Sequence, residues 1–335
     1  YTSAMGGVCS PKDIETMLQL LYLNFTQPRF NKDDVDNLTK MLLAQLANAK
    51  SSPDFLMQEK VIDAVYGHNP RRQMISTEIV DRFSFEQLPG IYAKLYPGAN
   101  GFVFTFVGNI DPETLKPLVE KYIGSIPATR KPIDYVDDKA YPVKGEVTEE
   151  FTAPMQQPKV SVNYYFSGEM PYTLKNKMAL TFLTQALNSR YLISIREEKG
   201  GTYGVRVQGS TKYIPRETYD MTISFDTNEE MADELVPIVF DEIEKIATEG
   251  PEAKDINDSR EYLVKQFKNT LENNGTWFGL IDDYNRHKQN LLADYEKTLN
   301  SITYDEIRDL AKKLLDSGNV IQVTMRPEAQ PEADE

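Results

Sequence analysis

The sequence predicts an α+β protein made of two related units, each a mixed or antiparallel sheet with helices packed on one face. Three observations carry this. Apolar residues in the first half recur mostly at helical spacing. Alternating strands and long helices interleave in the second half. A segment order near residue 84 returns near residue 303. The composition fits: 40% apolar and 10% aromatic residues in a 335-residue chain are enough for two cores and argue against global disorder.

Taken in order, Tyr1 to Gly7 reads as a strand already under way. Ser10-Pro11-Lys12-Asp13 reads as a helix start, with Ser10 as N-cap, and Ile14, Met17, Leu18, Leu21 and Phe25 continue at helical spacing. A second helix begins near Asn31, a third runs from Ser52-Pro53 to Gly67, and a fourth spans Ser84 to Tyr96. Gly101 to Gly108 (GFVFTFVG) reads as a buried strand, and Asp111 to Ile123 as a helix. Prolines 127, 132 and 142 forbid a continuous element around 128–145, which reads as a linker. Beyond it come strands over 146–153 and 158–167, helices over 173–187 and 189–198, and strands over 202–212 and 217–226. Helices over 229–248, 253–272 and 276–297, a helix from Asp305 and a strand over 319–325 complete the pattern. The domain division is therefore 1–128, linker 129–145, second unit 146–326 and a tail from 327.

The repeat rests on an offset of 219 residues: Ser84-Phe85-Glu86 against Thr303-Tyr304-Asp305, Lys94-Leu95 against Lys313-Leu314, and Asn100 against Asn319. Chance likeness between amphipathic helices is the competing explanation; the shared order of elements favours duplication. Extended backwards, the first copy meets Tyr1 opposite about Tyr219, so it lacks its opening elements, and the first domain is expected to be truncated at its N-terminus.

Charge and residue types exclude several functions. A net charge of −14 argues against a nucleic-acid partner. No apolar run reaches the ~18 residues that a membrane-spanning helix needs. Cys9 stands alone, so neither an intramolecular disulfide nor a thiolate cluster is possible. The two histidines, His68 and His287, fit neither H-x-x-E-H nor H-E-x-x-H, and both read as surface or capping residues; no metal site is expected in this chain. There is no G-x-S-x-G elbow and no phosphate-binding loop.

The sharpest local feature is Arg196-Glu197-Glu198-Lys199-Gly200-Gly201-Thr202-Tyr203, which leaves a helix, turns on two glycines and enters a strand. Such a turn can bring Arg196 and Tyr203 to one side, where a guanidinium and a phenol can hold a peptide carbonyl and a developing oxyanion. The same residues also suit a purely structural role, because cations favour helix C-termini, glycine follows helices and tyrosine suits strands.

At this motif the chain resembles the inverted-motif zinc peptidases: pitrilysin, insulin-degrading enzyme and the mitochondrial processing peptidases. YLNFTQPRFNKDDVDNL (22–38), FVFTFVGNIDPETLKPLVEKYIGSIP (102–127), NSRYLISIREEKGGTYGV (188–205) and TEGP (248–251) carry the likeness across essentially the whole chain. The resemblance implies the LuxS/insulinase-like metallopeptidase fold, and the metal-free C-terminal half of a zinc metalloendopeptidase. Zinc and its H-x-x-E-H motif would lie in a separate N-terminal half, the expected partner. By the same resemblance, Arg196 would bind the substrate backbone. Tyr203 would donate to the scissile oxygen as an auxiliary catalytic residue, and 202–212 would be an edge that pairs with an extended peptide substrate. The alternative within the family is a catalytically inactive partner subunit or scaffold. Outside it, an unrelated acidic α+β binding module competes. Family analogy points to the periplasm, while the sequence itself leaves the compartment unknown.

Overall fold

A computed structural model describes residues 1–128, 135–197, 199, 202 and 204–328. The order of elements is α1 (Ile14–Thr26), α2 (Lys32–Ala49), α3 (Pro53–Tyr66), α4 (Thr77–Asp81), α5 (Leu88–Leu95), α6 (Pro112–Tyr122), β1 (Glu146–Ala153), β2 (Val160–Glu169) and α7 (Leu174–Tyr191). A π-helical segment, Leu192–Glu197, extends α7. Then follow β3 (Val205–Lys212), β4 (Thr218–Thr227), α8 (Glu229–Glu249), α9 (Ala253–Thr270), α10 (Asn274–His287), α11 (Leu291–Ser301), α12 (Tyr304–Asp316) and β5 (Val320–Pro327).

The chain forms two compact units. One comprises Tyr1–Leu46, Ile75–Asp137 and Thr270–Lys288; the other comprises Ala47–Met74, Asp138–Asn269 and the chain from Gln289 onward. Compactness thus interleaves segments that a single cut at 129–145 would separate.

The second unit holds a five-stranded mixed sheet in the order β1-β5-β2-β4-β3. β5 runs parallel to β1 and antiparallel to β2, and the remaining pairs are antiparallel. Strand alternation divides the faces. Val160, Val162, Tyr164 and Phe166 of β2, with Tyr219, Met221, Ile223 and Phe225 of β4, enter one core. α7, α8 and α12 cover that core, and α7 is buried on most of its circumference, from Met178 to Tyr191. The intervening residues of β4 (Thr218, Asp220, Thr222, Ser224 and Asp226) give the opposite face a polar surface. Among the described residues, that face is covered at β1 and β5, with Tyr165 of β2 at the margin. There α3 packs Met57, Ala64 and Val65 on Ile321, Val323 and Met325. This explains why 47–74 joins the second unit. Gly67 ends α3 in the left-handed conformation at φ 58°, a geometry that costs glycine little.

The other unit is helical. α1 is tied to α6 through Glu15, which accepts from Tyr122 at 2.7 Å and from Lys121 at 3.0 Å. Phe25 sits among Tyr96, Phe102 and Phe104 with ring centroids 5.1–6.2 Å away.

Several expectations need correction. Residues 101–108 form no strand; Phe102 and Phe104 pack in the aromatic cluster, and no strand lies beside them to complete a ladder among the described residues. Residues 1–7 likewise form no strand. The helix expected over 84–96 is a 3₁₀ turn, Phe85–Gln87, followed by α5, with α4 ahead of it. The helix expected over 276–297 is two, because Lys288 turns into the left-handed region at φ 57°. The 189–198 helix is not separate, since α7 continues to Tyr191 and then widens to π geometry. The tail beyond 328 lies outside the described residues.

Helix starts show what capping contributes. Ser10 makes no side-chain capping bond. Thr303 makes a complete capping box: its Oγ1 accepts from the Glu306 N–H at 3.3 Å and Glu306 accepts from the Thr303 N–H at 3.0 Å. Thr303→Ala is expected to cost about 1 kcal/mol in urea unfolding and Ser10→Ala no more than a few tenths. Partial burial alone would raise the Glu306 carboxyl, but Lys175 and the Thr303 N–H hold it below the ordinary carboxylate range. A depressed folded value means that this stabilisation is present above the unfolded value and lost as pH falls through the folded one. The stability gap between the wild-type chain and Glu306→Gln should therefore be full at neutral pH and close on acidification; a pH-independent gap would contradict the assignment.

Candidate functional site

The last turn of α7 is held from several sides. Tyr191 is fully buried and donates to the Val239 carbonyl of α8 at 2.7 Å; burial pushes its phenol well above the ordinary range. Arg190 Nη1 meets Glu242 Oε2 at 3.1 Å, and Lys245 meets Glu242 Oε1 at 2.9 Å. Glu242 is 4% exposed, and the two cations lie one on each oxygen of its carboxylate. Ser189 donates to Asp255 of α9 at 2.8 Å. Asn188 reaches β3, where it accepts from the Val207 N–H at 2.9 Å and donates to the Val207 carbonyl at 3.1 Å.

Anchored in this way, the chain runs through the π-helical segment Leu192–Glu197. Ile195 is fully buried, whereas Arg196 is exposed and has no hydrogen-bond or ion-pair partner among the described residues. Short π segments are recurrent at functional sites. Lys199 is tied to Glu234 of α8 at 2.5 Å. β3 starts at Val205 rather than 202 and occupies one edge of the sheet. Tyr203 lies outside the described residues.

Sequence reasoning singled out Arg196 and overlooked its foundations. Asn188, Ser189 and Arg190 form a polar triplet at the end of an apolar helix, which was the available signal. Glu242 falls on the apolar stripe of α8, between Val239 and Ile246 at helical spacing, which was the available sign of its burial.

The described residues do not suit a zinc ion. No three His, Cys, Asp or Glu side chains among them gather where they could hold a metal. His68 is exposed beside Asp63 at 3.6 Å, in agreement with a surface position. His287 is the last residue of α10, a helix-end position, but its side chain is 9% exposed, 3.6 Å from Asp283. The two histidines belong to different compact units.

An edge strand beside the central helix and a helical layer on one sheet face make up the domain that carries Arg196. Residues 82–263 match the family of the peptidase M16 inactive domain, and the chain belongs to that family. It is similar to a zinc protease PQQL-like protein of Arabidopsis thaliana, with 23% identity over 285 residues. The match covers 80% of this chain and 30% of that relative, so the chain spans about a third of its length. Among solved structures, the periplasmic protease PqqL from Escherichia coli superposes with a TM-score of 0.76 at 16% identity, over 95% of this chain and 35% of that one. The peptidase M16 inactive domain from Pseudomonas fluorescens gives 0.77 at 18% identity, over 96% and 77%.

Without the Glu242 carboxylate, the largely buried Arg190 keeps only the more distant Glu252, at 3.8 Å, while the half-exposed Lys245 stays solvated. Glu242→Gln is expected to destabilise the chain by roughly 3 kcal/mol. A change below 1 kcal/mol in chemical denaturation would show that Arg190 and Lys245 do not depend on it.

Proposed function

We propose that this chain is the metal-free C-terminal half of a zinc metalloendopeptidase, where it forms part of the chamber wall and binds peptide substrate. The observation that carries the reading is the match to the M16 inactive domain, which spans the whole Arg196–Tyr203 motif. Residues 1–128 and 146–326 are then two copies of the family unit. The N-terminal half supplies zinc and the general base, and this chain's residues bind and orient. Arg196, exposed and without a partner among the described residues, binds the substrate backbone. Tyr203 donates a hydrogen bond to the scissile oxygen as negative charge develops there. An extended peptide lies along β3 as an added strand, because β3 is an edge. The periplasmic location named for the Escherichia coli structure supports the same compartment for this protein.

The test is cleavage of a quenched peptide in the presence of zinc, by this chain alone and by this chain mixed with the separately expressed N-terminal half. Activity is expected only in the mixture. Tyr203→Phe should lower kcat about 10²-fold, the usual effect of losing one oxyanion donor, and Arg196→Ala should chiefly raise KM. Undiminished turnover in Tyr203→Phe would remove the oxyanion role. An inactive mixture, despite association and zinc loading, would assign the chain to a scaffold or peptide-holding partner instead.

A further inference from the structure

β3 is an edge strand, yet its edge is not uniformly open. In an antiparallel ladder, alternate residues turn their N–H and C=O groups away from the partner strand. Val207 pairs with Ile223, and its N–H and C=O both go to the Asn188 side chain. It therefore occupies an outward-facing position, and Val205, Gly209 and Thr211 share its phase. The outward groups of Gly209 and Thr211 have no hydrogen-bond partner among the described residues.

A primary amide offers one acceptor and one donor, the same pair that a residue of an added strand would present. Two features hold it in register. Asn188 Nδ2 also donates to the Thr184 carbonyl one turn earlier, at 2.9 Å, which fixes the orientation of the amide. Leu180, Thr184 and Asn188 form a stripe along α7 that runs beside β3. β3 approaches this stripe so closely that a Cβ on Gly209 would lie 2.7 Å from Leu180 Cγ and 3.0 Å from Thr184 Cγ2. The missing side chain at Gly209 lets the strand lie down where Asn188 can reach it.

We infer that Asn188 seals the β3 edge at Val207, standing in for one residue of an added strand, so that an extended chain can pair with β3 only over Gly209–Lys212. The seal itself depends on nothing but the chain's own geometry; the pairing limit rests on the proposed peptide-binding role of β3. Asn188 is thus a positioning residue that sets where a bound peptide begins its ladder.

Residue-resolved amide exchange on the full chain tests both parts. The Val207 amide should exchange at least about tenfold more slowly than those of Gly209 and Thr211, and Asn188→Ala should abolish the difference. Asn188→Asp, which sets an oxygen against the Thr184 and Val207 carbonyls where the donor stood, should weaken the protection. A saturating (Thr-Val)₄ peptide should slow Gly209 and Thr211 in the wild-type chain and leave Val207 unchanged; in Asn188→Ala it should slow Val207 too. Equal exchange at Val207 and Gly209 in the unliganded wild-type chain would overturn the seal. Peptide protection running through Val205 and Val207 with Asn188 intact would overturn the pairing limit. A peptide that protects nothing on β3 in either protein would refute strand addition, while slow Val207 exchange, lost in Asn188→Ala, would still establish the seal.

Discussion

The last strand of the chain lies inside the sheet, and the rest of the second unit depends on that insertion. β5 separates β1 from β2, pairing parallel with one and antiparallel with the other. Without it β1 has no partner, and the β2-β4-β3 ladder ends on an unprotected strand. β5 is also where both faces of the sheet are covered. Ile321, Val323 and Met325 meet α3 on one side. Val320 packs into the larger core on the other, and Thr324 is buried as well. A strand buried twice reads as an apolar run rather than an alternation, as VIQVTM nearly does. Because β1 and β5 are so distant in sequence, the sheet closes by non-local contacts, which are slow to form.

How much was legible in the sequence followed from the range of the forces involved. Helix starts at Ser52-Pro53 and Asp111 and the end at Gly67 were readable because caps are local. β2 and β4 were readable because half-burial imprints a period of two. Gly101–Gly108 misled, because a β-rich apolar stretch becomes a strand only beside another strand, and here its rings serve an aromatic cluster instead. Lys288 broke a helix without any glycine or proline to announce it. The candidate site was half legible. Arg196 stood out by its neighbours, whereas the pairing of Glu242 with Arg190 and the reach of Asn188 are properties of packing between α7, α8 and β3, which a linear pattern does not record.

The candidate site combines rigidity with a charge that has no partner among the described residues. Buried ion pairing, a buried phenol and a bidentate amide all converge on the last turn of α7, immediately before the exposed Arg196. A long flexible cation binds better when its backbone does not move, since less entropy is lost on contact.

The π-helical segment Leu192–Glu197 has a consequence for how this chain tolerates length changes. A π turn accommodates one more residue than an α turn over the same rise. Excising one residue from it would restore α geometry and leave the chain beyond nearly in phase, because the wider turn has already absorbed the extra residue. The same excision from the α-helical body of α7 would instead turn everything beyond the cut by roughly 100° about the helix axis. The segment is thus the one stretch of this long helix that can lose a residue without carrying the following chain round to another face.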